Sequence, residues 1–154
     1  MHQAGIPTND FTPESATRHV RALKLLLRTF GAICLTALLP LLMPAAWIHA
    51  AHEWLGWGPF PSVPVALYMA RSNSALSAFY GGLLLVLARD VSRHRPVIRY
   101  QAAAIMAYST AGLILGRAAG MPWWFVLGDF IGCWVFCIPI WMLATKLPAP
   151  RHDA

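Results

Sequence analysis

Acidic side chains are scarce in this sequence: six Asp and Glu stand against 12 Lys and Arg, and charged residues make up only 12% of the 154 positions. A soluble domain of ordinary composition carries about 25% charge. The chain therefore has too few ionic groups to clothe a water-facing surface, while 58% of its residues are hydrophobic and the mean hydropathy is +0.54. That deficit points to lipid as the solvent. Cysteine is sparse as well. Cys34, Cys133 and Cys137 all fall inside apolar runs, and an odd number gives no paired disulfide framework. Cys133 and Cys137, four apart on one helix face, have the spacing of a redox or metal pair, against the simpler reading of small packing residues. The sequence also lacks a Ser, His and acid arrangement, a glycine-rich phosphate loop and a haem-attachment motif. An enzyme is therefore the less favoured class, and no cofactor or metal is assigned.

The net charge of +6 does not point to nucleic acid, because the basic residues sit at the ends of apolar runs, where membrane orientation signals lie, and not in one patch. Residues 1–16, with Gly5, Pro7, Asn9, Asp10, Pro13 and Ser15, read as a flexible tail. A helix is expected from Ser15 or Thr17, feeding a first span that ends near Met43. The apolar run from Thr29 to Ile48 is longer than a signal-peptide core and lacks a good cleavage flank, so it is read as uncleaved. Pro40 and Pro44 predict a break near Leu39. Ala45 to Leu55 reads as a short outer interfacial helix, with Trp47 and Trp54 at the boundary. Further spans are expected from Val63 or Pro64 to Leu87, from Val97 to Arg117, and from Pro122 to Leu147, with Pro122 in the first turn. Pro139 predicts a kink that frees a carbonyl near Val135.

The expected fold is thus all-α, a transmembrane four-helix bundle over residues 17–147, with a second cytoplasmic tail at 148–154. Ten of the 12 basic residues fall on one side of such a bundle, and only Arg71 and Arg117 on the other. The positive-inside rule then places both termini and the Arg93 turn in the cytoplasm. Small residues at Ser74 and Ala78, Gly112 and Gly116, and Gly128 and Gly132 have the spacing of close helix crossings.

Arg71 and Asp129 are the candidate site. Each lies about seven residues from the outer end of its span, which is about 10 Å at 1.5 Å per residue. A charge at that depth is unfavourable unless it is paired or wet. The expectation is a buried ion pair or a polar pocket shared with Ser72, Asn73 and Ser74, with Glu53 or Arg117 nearby; it either locks two helices or receives a proton, an anion or a headgroup. His49, His52 and Glu53 form a second cluster on one helix face. They are read as an outer polar face, with zinc ligation and proton exchange at His52 as the sharper alternatives. Tyr80 and Tyr108 are expected to bond across helices to Ser77, Ser109 or Thr110.

The stretch from His52-Glu53-Trp54-Leu55-Gly56 through Tyr68-Met69-Ala70-Arg71-Ser72 to Arg93-His94-Arg95-Pro96, and then Gly120-Met121-Pro122-Trp123-Trp124, resembles a group of small, uncharacterised bacterial four-span membrane proteins. Over residues 28–147 the chain is also similar to the DoxX-like proteins in size and span count. The resemblance implies the bacterial inner (cytoplasmic) membrane. Some DoxX-type proteins are associated with quinone-linked sulfur oxidation, but no signature residue carries over. Two classes follow. The favoured one is a non-catalytic accessory subunit or small-ligand-binding membrane protein. The other is a quinone-linked redox or proton-handling protein using His52, Arg71, Asp129 and Tyr80. The expected partners are the bilayer and either another membrane protein or a second copy of the chain.

Overall fold

The computed structural model describes residues 13–147, and these form helices and turns with no strand among them. The two expected tails fall mostly on residues 1–12 and 148–154, outside the described residues. Helix α1 (Pro13–Leu35) is followed by a single turn, α2 (Leu38–Leu42), and by α3 (Ala45–Trp54); three helices of 24 residues complete the chain, α4 (Pro64–Leu87), α5 (Arg95–Ala118) and α6 (Trp123–Lys146). Residues 13–16, expected in the tail, already belong to α1.

Proline chemistry explains the break after α1. The ring of Pro40 cannot donate to Thr36 and clashes with the carbonyl of the residue four before it. The Thr36 carbonyl is taken instead by the amide of Leu39 at 2.9 Å, and the helix stops at Leu35. The break therefore sits at Thr36 and Ala37, two to three residues earlier than the sequence suggested. Pro44 repeats the effect and ends α2 at Leu42. Helix α3 (Ala45–Trp54) covers the short helix expected from Ala45 to Leu55. Pro64 occupies the start of α4, where its missing donor costs nothing, whereas Pro122 lies just before α6 as its N-cap. Helix α6 continues through Pro139. The loops turn at Gly56, Gly58 and Gly120, whose φ of 74°, 79° and 80° lie in the left-handed region that L side chains avoid.

Helix α4 packs along α1, α1 along α6 and α6 along α5, while α2 lies against α4; no comparable seam joins α4 to α5 or α6. The core collects at one end of this arrangement. Leu23, Leu27 and Phe30 of α1 meet Leu84 and Leu87 at the end of α4, Ala88 and Val91 in the connecting turn, Ile98 and Ala102 at the start of α5, and Cys137, Ile140, Ala144 and Leu147 at the end of α6. Phe30 stacks on Phe136 at 4.9 Å, and its edge meets Tyr80 at 6.0 Å. The opposite end, where α4 and α6 begin, is far less filled.

Helices α1 and α4 approach closely at Gly31 and Gly81. A Cβ on Gly81 would lie 2.6 Å from the Gly31 carbonyl oxygen, and one on Gly31 would lie 2.9 Å from that of Gly81. Of the small-residue pairs expected at crossings, Ala78 is buried, and Gly116 lies so near Val126 that an added Cβ would come to 2.5 Å from it. Gly112, Gly128 and Gly132 face open space.

Two segments, Thr17–Leu42 and Trp123–Lys146, are long and apolar enough to cross a membrane by length and composition. Helices α4 and α5 are as long, but they fall short of the same standard. Arg71, Ser72, Asn73, Ser74 and Ser77 interrupt α4; Arg95, Arg99, Gln101 and Arg117 interrupt α5.

Candidate functional site

The less filled end holds both charges singled out above. On α4, Arg71 stands seven residues before buried Ala78, so the two share a face; on α6, Asp129 shares a face with Cys133, Phe136 and Ile140. Both helices thus turn a charge along the face that packs against α1 deeper in the molecule. The two charges do not meet. No ion pair joins them, Asp129 is exposed, and α1 lies between their helices. The ion pair expected between Arg71 and Asp129 is not formed: α4 and α6 share no seam comparable to those each makes with α1, and Asp129 is exposed.

Arg71 has another partner. Its terminal nitrogen donates to the carbonyl of Met43 at 3.2 Å, at the C-terminal end of α2. The break between α2 and α3 supplies that acceptor, because Pro44 and the end of α2 leave main-chain carbonyls without helical partners. The side chain is half-buried, and its Nε is shielded from solvent with no hydrogen-bond partner. Helical side chains lean toward the N-terminus of their helix, so the guanidinium tilts toward the start of α4. There it enters a groove of about 440 Å³ between α2 and α4, walled by Leu41, Pro64, Leu67, Tyr68 and Ala75, with Ser72 beside the arginine. Of the expected pocket residues, Ser72 lines this groove. Asn73 points outward, and Ser74 donates to the Ala70 carbonyl of its own helix at 2.9 Å.

His49, His52 and Glu53 do not form one water-facing row. Both imidazoles are half-buried and pack on Phe60, at 5.0 and 5.3 Å, while His52 Nδ1 lies 2.8 Å from the Gly58 carbonyl oxygen. Glu53 alone is exposed. The loop they brace carries Trp57, which meets Phe125 edge-on at 4.7 Å and stacks on Trp124 at 6.4 Å. This aromatic bridge ties α3 to the start of α6. Neither Glu53 nor Arg117 joins Arg71; Arg117 donates to the Met121 carbonyl at 2.8 Å.

Comparison with protein-family models, with curated proteins and with solved structures finds no match. Among the described residues, no group of three His, Cys, Asp or Glu is placed to hold a metal ion. All three cysteines are free thiols, with Cys137 buried. The hydroxyls expected to link helices turn back on their own: Ser77 to Asn73, and Ser109 and Thr110 both to Met106. Such back-bonding satisfies a hydroxyl without a neighbour. Tyr108 is correspondingly exposed, and Tyr80 meets Phe30 through its ring.

The arrangement offers one cation with spare donors beside an apolar trough. A guanidinium has five N–H donors, and one of them is used within the chain. The Met43 contact was beyond sequence reading because its acceptor is a main-chain atom. The two prolines that create it were the available signal.

Proposed function

We propose that the chain is an integral protein of the bacterial cytoplasmic membrane, crossing it four times with both termini inside. Within that frame it is a non-catalytic component that holds a small ligand in the groove at Arg71. The multi-pass reading draws support from the surface. Helix α4 turns Leu76, Phe79, Leu83 and Val86 outward while burying Ala78 and Gly81, and Phe79 is 79% exposed. Large side chains outside and small ones inside suit a hydrocarbon solvent, and an apolar surface of that extent is rare on a soluble monomer. The inside position of the termini rests on the ten-to-two division of basic residues.

The observation that carries the binding role is the half-buried Arg71 guanidinium, held at one terminal nitrogen by the Met43 carbonyl and lining a groove with apolar walls. Hydrogen bonds to a charged group contribute about 1.5–3 kcal/mol, and an acceptor on a ligand in the groove supplies them to the remaining terminal N–H donors. Extraction and mass spectrometry of the purified protein test the reading. The wild type is expected to retain close to one small molecule per chain, and a folded Arg71→Gln variant to retain far less. Retention independent of Arg71, or none in the wild type, would contradict it. A bound quinone or haem would favour the quinone-linked class instead.

A further inference from the structure

Building on the ligand-binding reading of the Arg71 groove, we infer that its occupant is a membrane lipid with an anionic phosphate headgroup, seated with the phosphate on Arg71 and an acyl chain along the trough between α2 and α4. Three observations argue for it. First, the walls are apolar, with Leu41, Pro64, Leu67 and Ala75 along the trough and Arg71 as its only charged group. A wholly hydrophilic anion would leave that surface empty, whereas an acyl chain covers it. Second, a single hydrogen bond from one terminal nitrogen to Met43 pins the guanidinium in place and leaves further N–H donors on its two terminal nitrogens. A pinned planar fork is suited to two parallel bonds with phosphate oxygens, and guanidinium binds phosphate in that way. Ser72 and Tyr68 line the same groove and carry hydroxyls. Third, no carboxylate lines the groove, so a headgroup ammonium has no counter-charge there. That favours an anionic over a zwitterionic headgroup.

Depth agrees with this assignment. Arg71 is about 10 Å along α4 from Pro64, and its side chain leans back toward that end, as long cationic stems do to bring their charge to the headgroup level. The volume of about 440 Å³ falls within the usual range for small-molecule sites, about 300–1,000 Å³.

Native mass spectrometry of the detergent-purified protein tests the inference, using phosphatidylglycerol and phosphatidylethanolamine at equal concentration and, in a separate arm, inorganic phosphate as competitor. The wild type is expected to retain one phosphatidylglycerol roughly tenfold more strongly than phosphatidylethanolamine, whose ammonium is repelled by Arg71 and meets no carboxylate in the groove. Arg71→Gln is expected to bring the two lipids to equal retention. Ala75→Phe, which fills the trough and leaves the Met43 bond untouched, is expected to release the lipid without disturbing the fold, so the inference stays testable if Arg71→Gln does not fold. Equal retention of the two lipids by the wild type would overturn the inference, as would selectivity that survives Ala75→Phe. Displacement of the lipid by millimolar phosphate would overturn the lipid as source while leaving Arg71 as a ligand-binding group. Failure of the underlying reading is distinct: no molecule of any class would then be held in an Arg71-dependent way.

Discussion

Arg71, Arg95 and Arg117 each donate to main-chain carbonyls at or just beyond a helix end. Arg95 is the fullest case. Its Nε reaches the Ala144 carbonyl and a terminal nitrogen reaches that of Thr145, both at 2.9 Å. The last turn of a helix leaves carbonyls unpaired and carries the negative end of the dipole. In a chain with six acidic residues, these ends are the most numerous acceptors for a cation. The one ion pair among the described residues, Arg18 with Glu14 at 3.9 Å, is exposed on both sides and adds little. Arg95→Ala is therefore expected to lower stability by about 1–2 kcal/mol, read as a drop in thermal unfolding temperature in detergent. Arg18→Ala is expected to leave that temperature unchanged. The same preference explains why reasoning from charge alone paired Arg71 with Asp129: carbonyl acceptors at a helix break do not show as charges in a sequence.

At the scale of elements, the Gly31 and Gly81 crossing holds α4 to α1. Gly81→Leu is expected to force the two helices apart and destabilise the protein by about 1–3 kcal/mol, because the atoms in the way are main-chain oxygen and nitrogen. Gly132→Leu meets open space and is expected to change little; unfolding of the two variants side by side in detergent checks the contrast. Element boundaries were largely legible. The runs bounded by Pro64, Pro96 and Pro122 became α4, α5 and α6, and the segment after Pro44 became α3. The crossing itself was hidden, since Gly31 and Gly81 lie on different helices and nothing in the sequence pairs one with the other. The pairs with a visible four-residue spacing were the better sequence signal, yet Gly128 and Gly132 touch nothing, because spacing fixes a shared face and not the neighbour that meets it. The histidines of α3 were placed on the correct helix. Their burial depended on Phe60 folding back over them, a contact set by the loop and not by helical periodicity.

For the whole molecule, the packing is polarised. The end where α1 begins and α6 finishes is filled by leucine, isoleucine and alanine, while the other end carries the proline break, the aromatic bridge and the Arg71 groove. A well-packed base beneath a looser rim suits the proposed ligand site, which needs its side chains held from below. The proposed topology sets the apolar exterior against lipid and gathers the basic residues on one side, and it requires all four long helices to cross the bilayer. Helices α4 and α5 are the decisive pair, since their polar residues leave them short of the standard that α6 meets. Single-cysteine labelling in a background with Cys34, Cys133 and Cys137 replaced by Ala tests this most directly. A membrane-impermeant maleimide added to intact cells, with the outer membrane made permeable, is predicted to label Ser62→Cys and Ala119→Cys, and to label Ser92→Cys only once the inner membrane is opened. Labelling of Ser92→Cys from outside, or Ser62→Cys and Ala119→Cys on opposite sides of the membrane, would contradict the account.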